Sequence, residues 1–316
     1  MPLLSNIIFF VVASFVLFLS GAFLVRALVI ISHFLKISEF LIGFIIMSIA
    51  STLPELFVGI NSALAKEPIL SLGNIIGTII VNLGLVCGIS TLLARRIPIR
   101  FKIMRISSVS TSLFLIVLAL IIILAKGISR LGALILISLY LLYLGFLFGK
   151  IKKVVVKEEF PRWKVVLAPL VAILSIFALH LSAQYVVKYG IAISTDLNLN
   201  SIFIGLFFIA LGTSLPELVF AIHAIISRHA GLVIGNLLGA NLIDLTLVLG
   251  TTALIEPIRI GIFQILLPLT TAFVISVVFI TFAESGRNLT WLEGISLIFL
   301  YILFLMIQLS IGGLLG

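Results

Sequence analysis

The sequence predicts an all-α membrane protein: ten transmembrane helices in two inverted repeats of five. Three observations carry this prediction. The 316 residues are 62% hydrophobic and only 10% charged, with a mean hydropathy of +1.42, whereas a soluble domain is nearer half apolar and a quarter charged. Apolar runs of about 20 residues, the length that crosses a bilayer as a helix, recur ten times along the chain. The stretch from Ile42 to Leu92 returns without a gap 162 residues later, with 16 of its 51 positions identical.

The ten runs lie at 6–32, 39–64, 69–93, 106–125, 130–149, 165–190, 201–227, 231–255, 261–283 and 290–312. The first lacks a basic leader and is too long for a signal peptide, so it is read as a span. The first and sixth are long enough to tilt or to continue past the bilayer surface. Connections are short, and the longest is a basic linker, residues 150–164, which contains Glu158, Glu159 and Pro161. It separates a first five-span repeat (1–149, with its repeated motif at 40–93) from a second (165–316, motif at 202–255).

The net charge of +9 belongs to loops, since no soluble basic face exists to bind nucleic acid. With the N-terminus outside, inner loops hold Lys36, the Arg95–Arg105 cluster, the linker, Arg228 and Arg287, 14 basic residues in all. Outer loops hold 5: Lys66, Lys126, Arg130, Lys188 and Arg259. Positive charge collects on the cytoplasmic side, which predicts a multi-pass protein of the cell membrane with both termini outside and the linker inside. The single Cys87 excludes an intrachain disulfide and reads as a packing residue. The bilayer is the expected partner; no protein partner is predicted, and the chain is expected to be a monomer.

In the repeat, Gly43, Leu53, Pro54, Glu55, Leu56, Gly73, Asn74, Gly77, Leu83, Leu85, Val86 and Gly88 meet identical residues 162 positions on. Chance matching of apolar segments gives Leu, Ile and Val, but not a Pro, a Glu and four Gly in register. The repeated spans are 2–3 and 7–8. They are five apart, an odd number, so the second copy enters the membrane from the opposite side. Secondary transporters commonly use such inverted halves, with the site at the midplane between them.

Glu55, Glu217 and Asp244 fall well inside predicted spans. One mid-bilayer charge costs about 2.5–3.5 kcal/mol on insertion scales. No basic residue lies within the four repeated spans; Arg26 and Lys188 on spans 1 and 6 are the available partners. The alternative partner is a mobile cation. Ser51 and Thr52 precede Glu55 by four and three residues, and Thr213 and Ser214 do the same for Glu217, so each pair of hydroxyls shares the carboxylate's helix face. Thr78 stands four before Asn82, and Asn82 and Asp244 each follow their glutamate by 27 residues. Calcium takes about 6–8 oxygen ligands of this kind, and sodium accepts the same hard oxygens. The absence of a His or Cys cluster argues against zinc, copper or iron. Pro54 and Pro216 have no N–H to give the carbonyls of Ala50 and Gly212, and a freed carbonyl at membrane depth is tolerated where it lines a cavity. The glycines read first as close helix packing, and Asn74 and Asn236 as bonds to a neighbouring helix. Three ionised carboxylates are neutralised by three Na+ but not by one Ca2+; with Asp244 protonated, as a desolvated carboxyl can be, the two glutamates balance one Ca2+ or two Na+, and either way the ions compete for shared carboxylates. Competition at a site open to one side at a time is antiport. A channel would want weaker or more numerous sites, and an intramembrane aspartyl hydrolase would want two aspartates.

These motifs resemble the two α-repeats of the cation/Ca2+ exchanger superfamily, and are most similar to prokaryotic Na+/Ca2+ exchangers. The likeness covers the whole plan of five spans, short basic linker and five spans. It implies a transporter rather than an enzyme, without cofactor, whose transported ions are Ca2+ and Na+. It further implies that Glu55 and Glu217 are central shared ligands flanked by Asn82 and Asp244. Ser51, Thr52, Thr78, Thr213 and Ser214 would add hydroxyl or carbonyl oxygens, and Ser48 and Ala210 backbone carbonyls. Spans 1 and 6 would slide over a rigid core. The chain departs from the pattern at Ala50-Ser51-Thr52, where Gly-Thr-Ser is usual, and at Ala240, where Ser is usual. The second departure removes a hydroxyl that would serve Na+. The alternative is therefore H+-coupled exchange of Ca2+ or another divalent cation.

Overall fold

The computed structural model describes residues 2–34, 47–99, 102–148, 161–197, 199–226, 230–285 and 288–312. The start of the run 39–64, Gly43, most of the central linker and the basic residues Lys36, Arg100, Arg228 and Arg287 lie outside the described residues. The chain opens with α1 (Pro2–Phe34), α2 (Met47–Ser51) and α3 (Leu53–Leu64). Helix α4 (Pro68–Ile80) runs through a π-helical turn (Val81–Val86) into α5 (Cys87–Ala94). After β1 (Arg96–Pro98) come α6 (Lys102–Ala125), β2 (Gly127–Ile128) and α7 (Arg130–Phe148). The second half begins with α8 (Arg162–Asp196) and α9 (Ser201–Ile204), followed by a π turn (Gly205–Ile209), α10 (Ala210–Thr213) and α11 (Leu215–Ile226). Helix α12 (Ala230–Ile243) runs through a π turn (Asp244–Val248) into α13 (Leu249–Ile255). Then come β3 (Ile258–Arg259), α14 (Ile262–Ser285), β4 (Asn288–Thr290) and α15 (Trp291–Gly312). Among the described residues eight helical segments are long and apolar enough to cross a membrane, and α3 and α7 are shorter apolar helices.

Local chemistry sets several boundaries. Pro68 opens α4 and Pro161 precedes α8, positions where a missing N–H costs no helical bond. The Asn200 side chain caps α9 by accepting from the Ile202 N–H at 3.2 Å. Glu293 reaches back to accept from the Thr290 N–H at 2.6 Å and its hydroxyl at 2.9 Å, tying down a donor at the start of α15. Helix α8 spans 35 residues and α1 spans 33, in keeping with the length of the first and sixth apolar runs.

The sequence reading foresees helices alone, but four short strands form two antiparallel pairs at the helix ends. Arg96, Ile97 and Pro98 face Thr290, Leu289 and Asn288; Gly127 and Ile128 face Arg259 and Ile258. Backbone groups that leave a helix in an apolar setting need partners, and these strand pairs supply them. The pairs lie at opposite ends of α6, whose 24 residues span about 36 Å at 1.5 Å per residue. The 162-residue offset carries Arg96 to Ile258 and Gly127 to Leu289, so β1 corresponds to β3 and β2 to β4. The pairing is therefore reciprocal. Gly127 has φ +143°, and a Cβ there would strike the Ile258 carbonyl oxygen, so this turn requires glycine.

The α4–α5 and α12–α13 rods occupy the centre, and all but one residue of α4 is buried. Gly73 and Gly77 let α4 approach the Ser201–Ile209 segment until a Cβ would strike the carbonyl oxygens of Ile202 and Leu206. Gly205 presses in the same way on the carbonyl of Leu70. This is the small-residue packing that holds helices together where lipid removes the hydrophobic drive. Helices α1 and α8 pair at the periphery. They bury Leu17, Leu24, Leu179, Ala183 and Val186 between them, and turn Phe15, Phe23, Val166 and Phe177 outward.

Candidate cation site

Both Pro-Glu motifs sit where a helix is interrupted for a single residue. Helix α2 stops at Ser51 and α3 starts at Leu53; α10 stops at Thr213 and α11 starts at Leu215. The interrupting residues have nearly the same backbone, φ −87° and ψ 0° at Thr52, φ −81° and ψ −2° at Ser214. Each still donates its N–H one turn back, Thr52 to the Ser48 carbonyl at 3.1 Å and Ser214 to the Ala210 carbonyl at 3.0 Å. The donor lost to proline is the next one but one. The result is a local kink, narrower than a break that would expose a run of carbonyls.

Every residue that the sequence nominates is buried. Ser48, Glu55, Thr78, Asn82, Ala210 and Asp244 are 0% exposed, and Ser51, Thr52, Thr213, Ser214 and Glu217 are at most 2%. Both carboxylate oxygens of Glu55, of Glu217 and of Asp244 lack a hydrogen-bond partner, as do Thr78 Oγ1, Asn82 Oδ1 and Ser214 Oγ. Burying one polar group without a partner costs on the order of 2–7 kcal/mol in an apolar medium, and an unpaired charge costs more. The basic side chains that the sequence leaves as candidates do not reach them: Arg26 is exposed and Lys188 lies over the Tyr189 ring at 5.6 Å.

The two halves meet at these residues. Glu55 lies within electrostatic reach of Glu217 and Asp244, and within range of the Thr213 hydroxyl, while Glu217 has Ser51 in the same relation. The Ser51 hydroxyl donates to Asn236 Oδ1 at 3.4 Å, and the Thr213 hydroxyl to Asn74 Oδ1 at 3.2 Å. These two bonds are equivalents under the 162-residue offset. Ser48 Oγ donates to the Asn236 carbonyl at 3.2 Å, and Asn82 Nδ2 donates to Asn241 Oδ1 at 3.0 Å. Thr52 stands apart: its hydroxyl turns back to the Ile49 carbonyl at 3.1 Å. Among the described residues no three His, Cys, Asp or Glu side chains form a metal-holding cluster on their own. A complete shell around a hard cation would thus need hydroxyl, amide and carbonyl oxygens beside the carboxylates.

Two features have no advance signal in the sequence. Asn82 lies in the π turn Val81–Val86, and its counterpart Asp244 opens the π turn Asp244–Val248. Such turns hold one extra residue, redirect side chains and favour functional positions. Asn241 is the other; it has no counterpart in the first repeat, where Ile79 occupies its place.

The family model for sodium/calcium exchanger proteins matches residues 5–149 and 167–310. The chain belongs to the sodium/calcium exchanger family. It is 26% identical over 272 residues to an uncharacterised membrane protein of Methanocaldococcus jannaschii, covering 86% of this chain and 87% of that one. It is 29% identical over 135 residues to the sodium/calcium exchanger MaX1 of Methanosarcina acetivorans, covering 43% and 39%. The structure of the sodium-calcium exchanger NCX_Mj soaked with 2.5 mM Na+ and 10 mM Sr2+ matches with a TM-score of 0.69 at 25% identity, over 96% of this chain and 99% of that one. This exchanger is therefore a multi-pass membrane transporter of the cation/Ca2+ exchange class, not an enzyme, and its family uses no cofactor.

Proposed function

We propose that this exchanger moves Ca2+ against Na+ through one buried site shared by both ions, opened to one side of the membrane at a time. The observation that carries the proposal is the set of six carboxylate oxygens, on Glu55, Glu217 and Asp244, buried together with no protein partner. A mobile cation is the partner that accounts for them. Glu55 and Glu217 act as central ligands, with Asn82 and Asp244 beside them. Ser51, Thr78, Thr213 and Ser214 contribute hydroxyl oxygens, and Ser48 and Ala210 contribute carbonyls. Thr52, whose hydroxyl is committed to Ile49, contributes by its backbone.

Ten crossings in two inverted halves, 1–149 and 165–316 joined by the linker 150–164, form the framework in this reading. The reciprocal strand pairs and the reciprocal bonds Ser51–Asn236 and Thr213–Asn74 support a two-fold relation between the halves. The linker lies on the cytoplasmic side, both termini lie outside, and the exchanger works as a monomer. The outward apolar faces of α1 and α8, and the seam they share, suit them to move as a pair against the central rods.

Ala240 is fully buried and offers no hydroxyl, which favours a second reading, exchange of Ca2+ or another divalent cation against H+. Liposomes decide between the two. Vesicles loaded with Na+ and diluted into choline medium are expected to take up Ca2+, and the Glu55→Gln protein to take up none. Uptake that follows a pH gradient and ignores Na+ would establish the second reading. Full uptake by Glu55→Gln would refute the site.

A further inference from the structure

A hydroxyl ligates a cation through its oxygen lone pairs, so its proton must point elsewhere. Three acceptors surround Ser51, and the carboxylate among them makes no hydrogen bond. The Ser48 carbonyl is at 3.3 Å, the Glu217 carboxylate lies nearby, and Asn236 Oδ1 is at 3.4 Å. Around Thr213 they are the Ala210 carbonyl at 3.4 Å, Glu55, and Asn74 Oδ1 at 3.2 Å. The first two acceptors in each set are oxygens that the cation itself needs; the amide oxygen is the third. The Ser48 and Ala210 carbonyls already accept the Thr52 and Ser214 N–H groups. A carbonyl has two lone pairs, so a hydroxyl proton on the second would saturate it. A proton handed to the asparagine leaves that lone pair free and turns the hydroxyl oxygen toward the carboxylates.

We propose that Asn74 and Asn236 are positioning residues that accept the hydroxyl protons of Thr213 and Ser51 across the two halves, freeing in each half one hydroxyl oxygen and one backbone carbonyl for the cation. Both asparagines are essentially fully buried, at 0% and 1% exposure. The Nδ2 of each has no partner, so it is the acceptor end of each amide that is in use. The arrangement occurs twice, with the roles of the halves exchanged, so one accidental contact does not account for it. The inference rests on the shared-site reading above, because it assigns the freed oxygens to that site.

The test is a pair of double-mutant cycles on the full-length protein, read both as direct Ca2+ binding by calorimetry in detergent and as half-saturating Na+ in liposomes. Asn236→Leu and Ser51→Ala are each expected to weaken Ca2+ binding about tenfold, and the double variant no further than either single. Asn74→Leu with Thr213→Ala is expected to behave alike. The cross pair, Asn74→Leu with Ser51→Ala, has no shared bond and is expected to multiply to about a hundredfold, as independent sites do. A merely structural asparagine would multiply with its own hydroxyl partner as well, and that result overturns the proposal. Should one leucine variant fail to assemble, the other cycle carries the same decision. Glu55→Gln separates the two levels of argument. If it abolishes Ca2+ binding while both cycles multiply, the positioning role fails and the site stands; if it leaves binding intact, the site itself fails.

Discussion

Gly77→Ala tests how closely the two halves approach. A Cβ at Gly77 would lie 2.7 Å from the Ala210 Cβ and would strike the Leu206 carbonyl oxygen. Non-bonded carbons are comfortable at about 3.5–4.0 Å, so α4 and the Gly205–Thr213 segment must separate by roughly 1 Å. Neither obstacle is the far end of a flexible side chain, and the strain therefore falls on backbone. Overpacking of this kind costs about 1–3 kcal/mol, a shift of several degrees in Tm for a chain of this size. Gly145→Ala is the matched control, because nothing lies within 4 Å of a Cβ there. It is expected to be neutral or slightly stabilising, as replacing glycine within a helix usually is. The single Cys87, fully buried, supplies the assay: a thiol-reactive dye labels the detergent-solubilised protein only as it unfolds on heating. Gly77→Ala is expected to label several degrees earlier than the parent, and Gly145→Ala no earlier. Identical melting of the two variants would refute the close approach, and with it the packing of Gly77 against Ala210.

Three further outcomes are expected. Ala240→Ser restores a hydroxyl at the place equivalent to Thr78 and should lower half-saturating Na+ several-fold in liposome uptake; no change would remove this position from the Na+ shell. Glu217→Gln and Asp244→Asn should each abolish or strongly reduce Ca2+ binding by calorimetry, and retained binding would exclude that carboxylate as a ligand. The Lys66–Glu256 pair, 2.7 Å apart, holds the Glu256 carboxyl below its usual range, chiefly through the Lys66 hydrogen bond. A depressed folded value contributes stability above the ordinary carboxyl range, and this is lost as pH falls through the lower value. Melting of Glu256→Gln and parent should thus differ slightly at pH 7, and converge at high salt and as pH falls well below the ordinary carboxyl range; a difference that grows on acidification would show another origin.

The parts of this molecule that could be read in the sequence are those whose presence in an apolar helix is costly. Glutamate and asparagine are rare there and need a reason, and proline removes a helical bond, so Pro54-Glu55 and Asn74 stand out, and with Gly73 and Gly77 beside them their copies can be matched one to one. The matching says which residues are alike and does not say which of them touch. Thr213 lies close in sequence to Glu217, yet its hydroxyl bonds Asn74 in the other half. That contact depends on how deeply Gly73 and Gly77 seat against Ile202 and Leu206, a distance set by two backbones at once. The π turns were hidden for a similar reason. Val81–Val86 and Asp244–Val248 are mostly apolar, no Pro marks either turn, and Gly84 in the first has Thr246 as its equivalent in the second, so no shared residue announces them. The polar end of each turn is where Asn82 and Asp244 stand. A spacing argument based on 3.6 residues per turn therefore puts these two side chains on the right helix and leaves their direction open. For Asn82 a neighbour across the interface, Asn241, fixes that direction, and this is where a single chain read in order carries the least information.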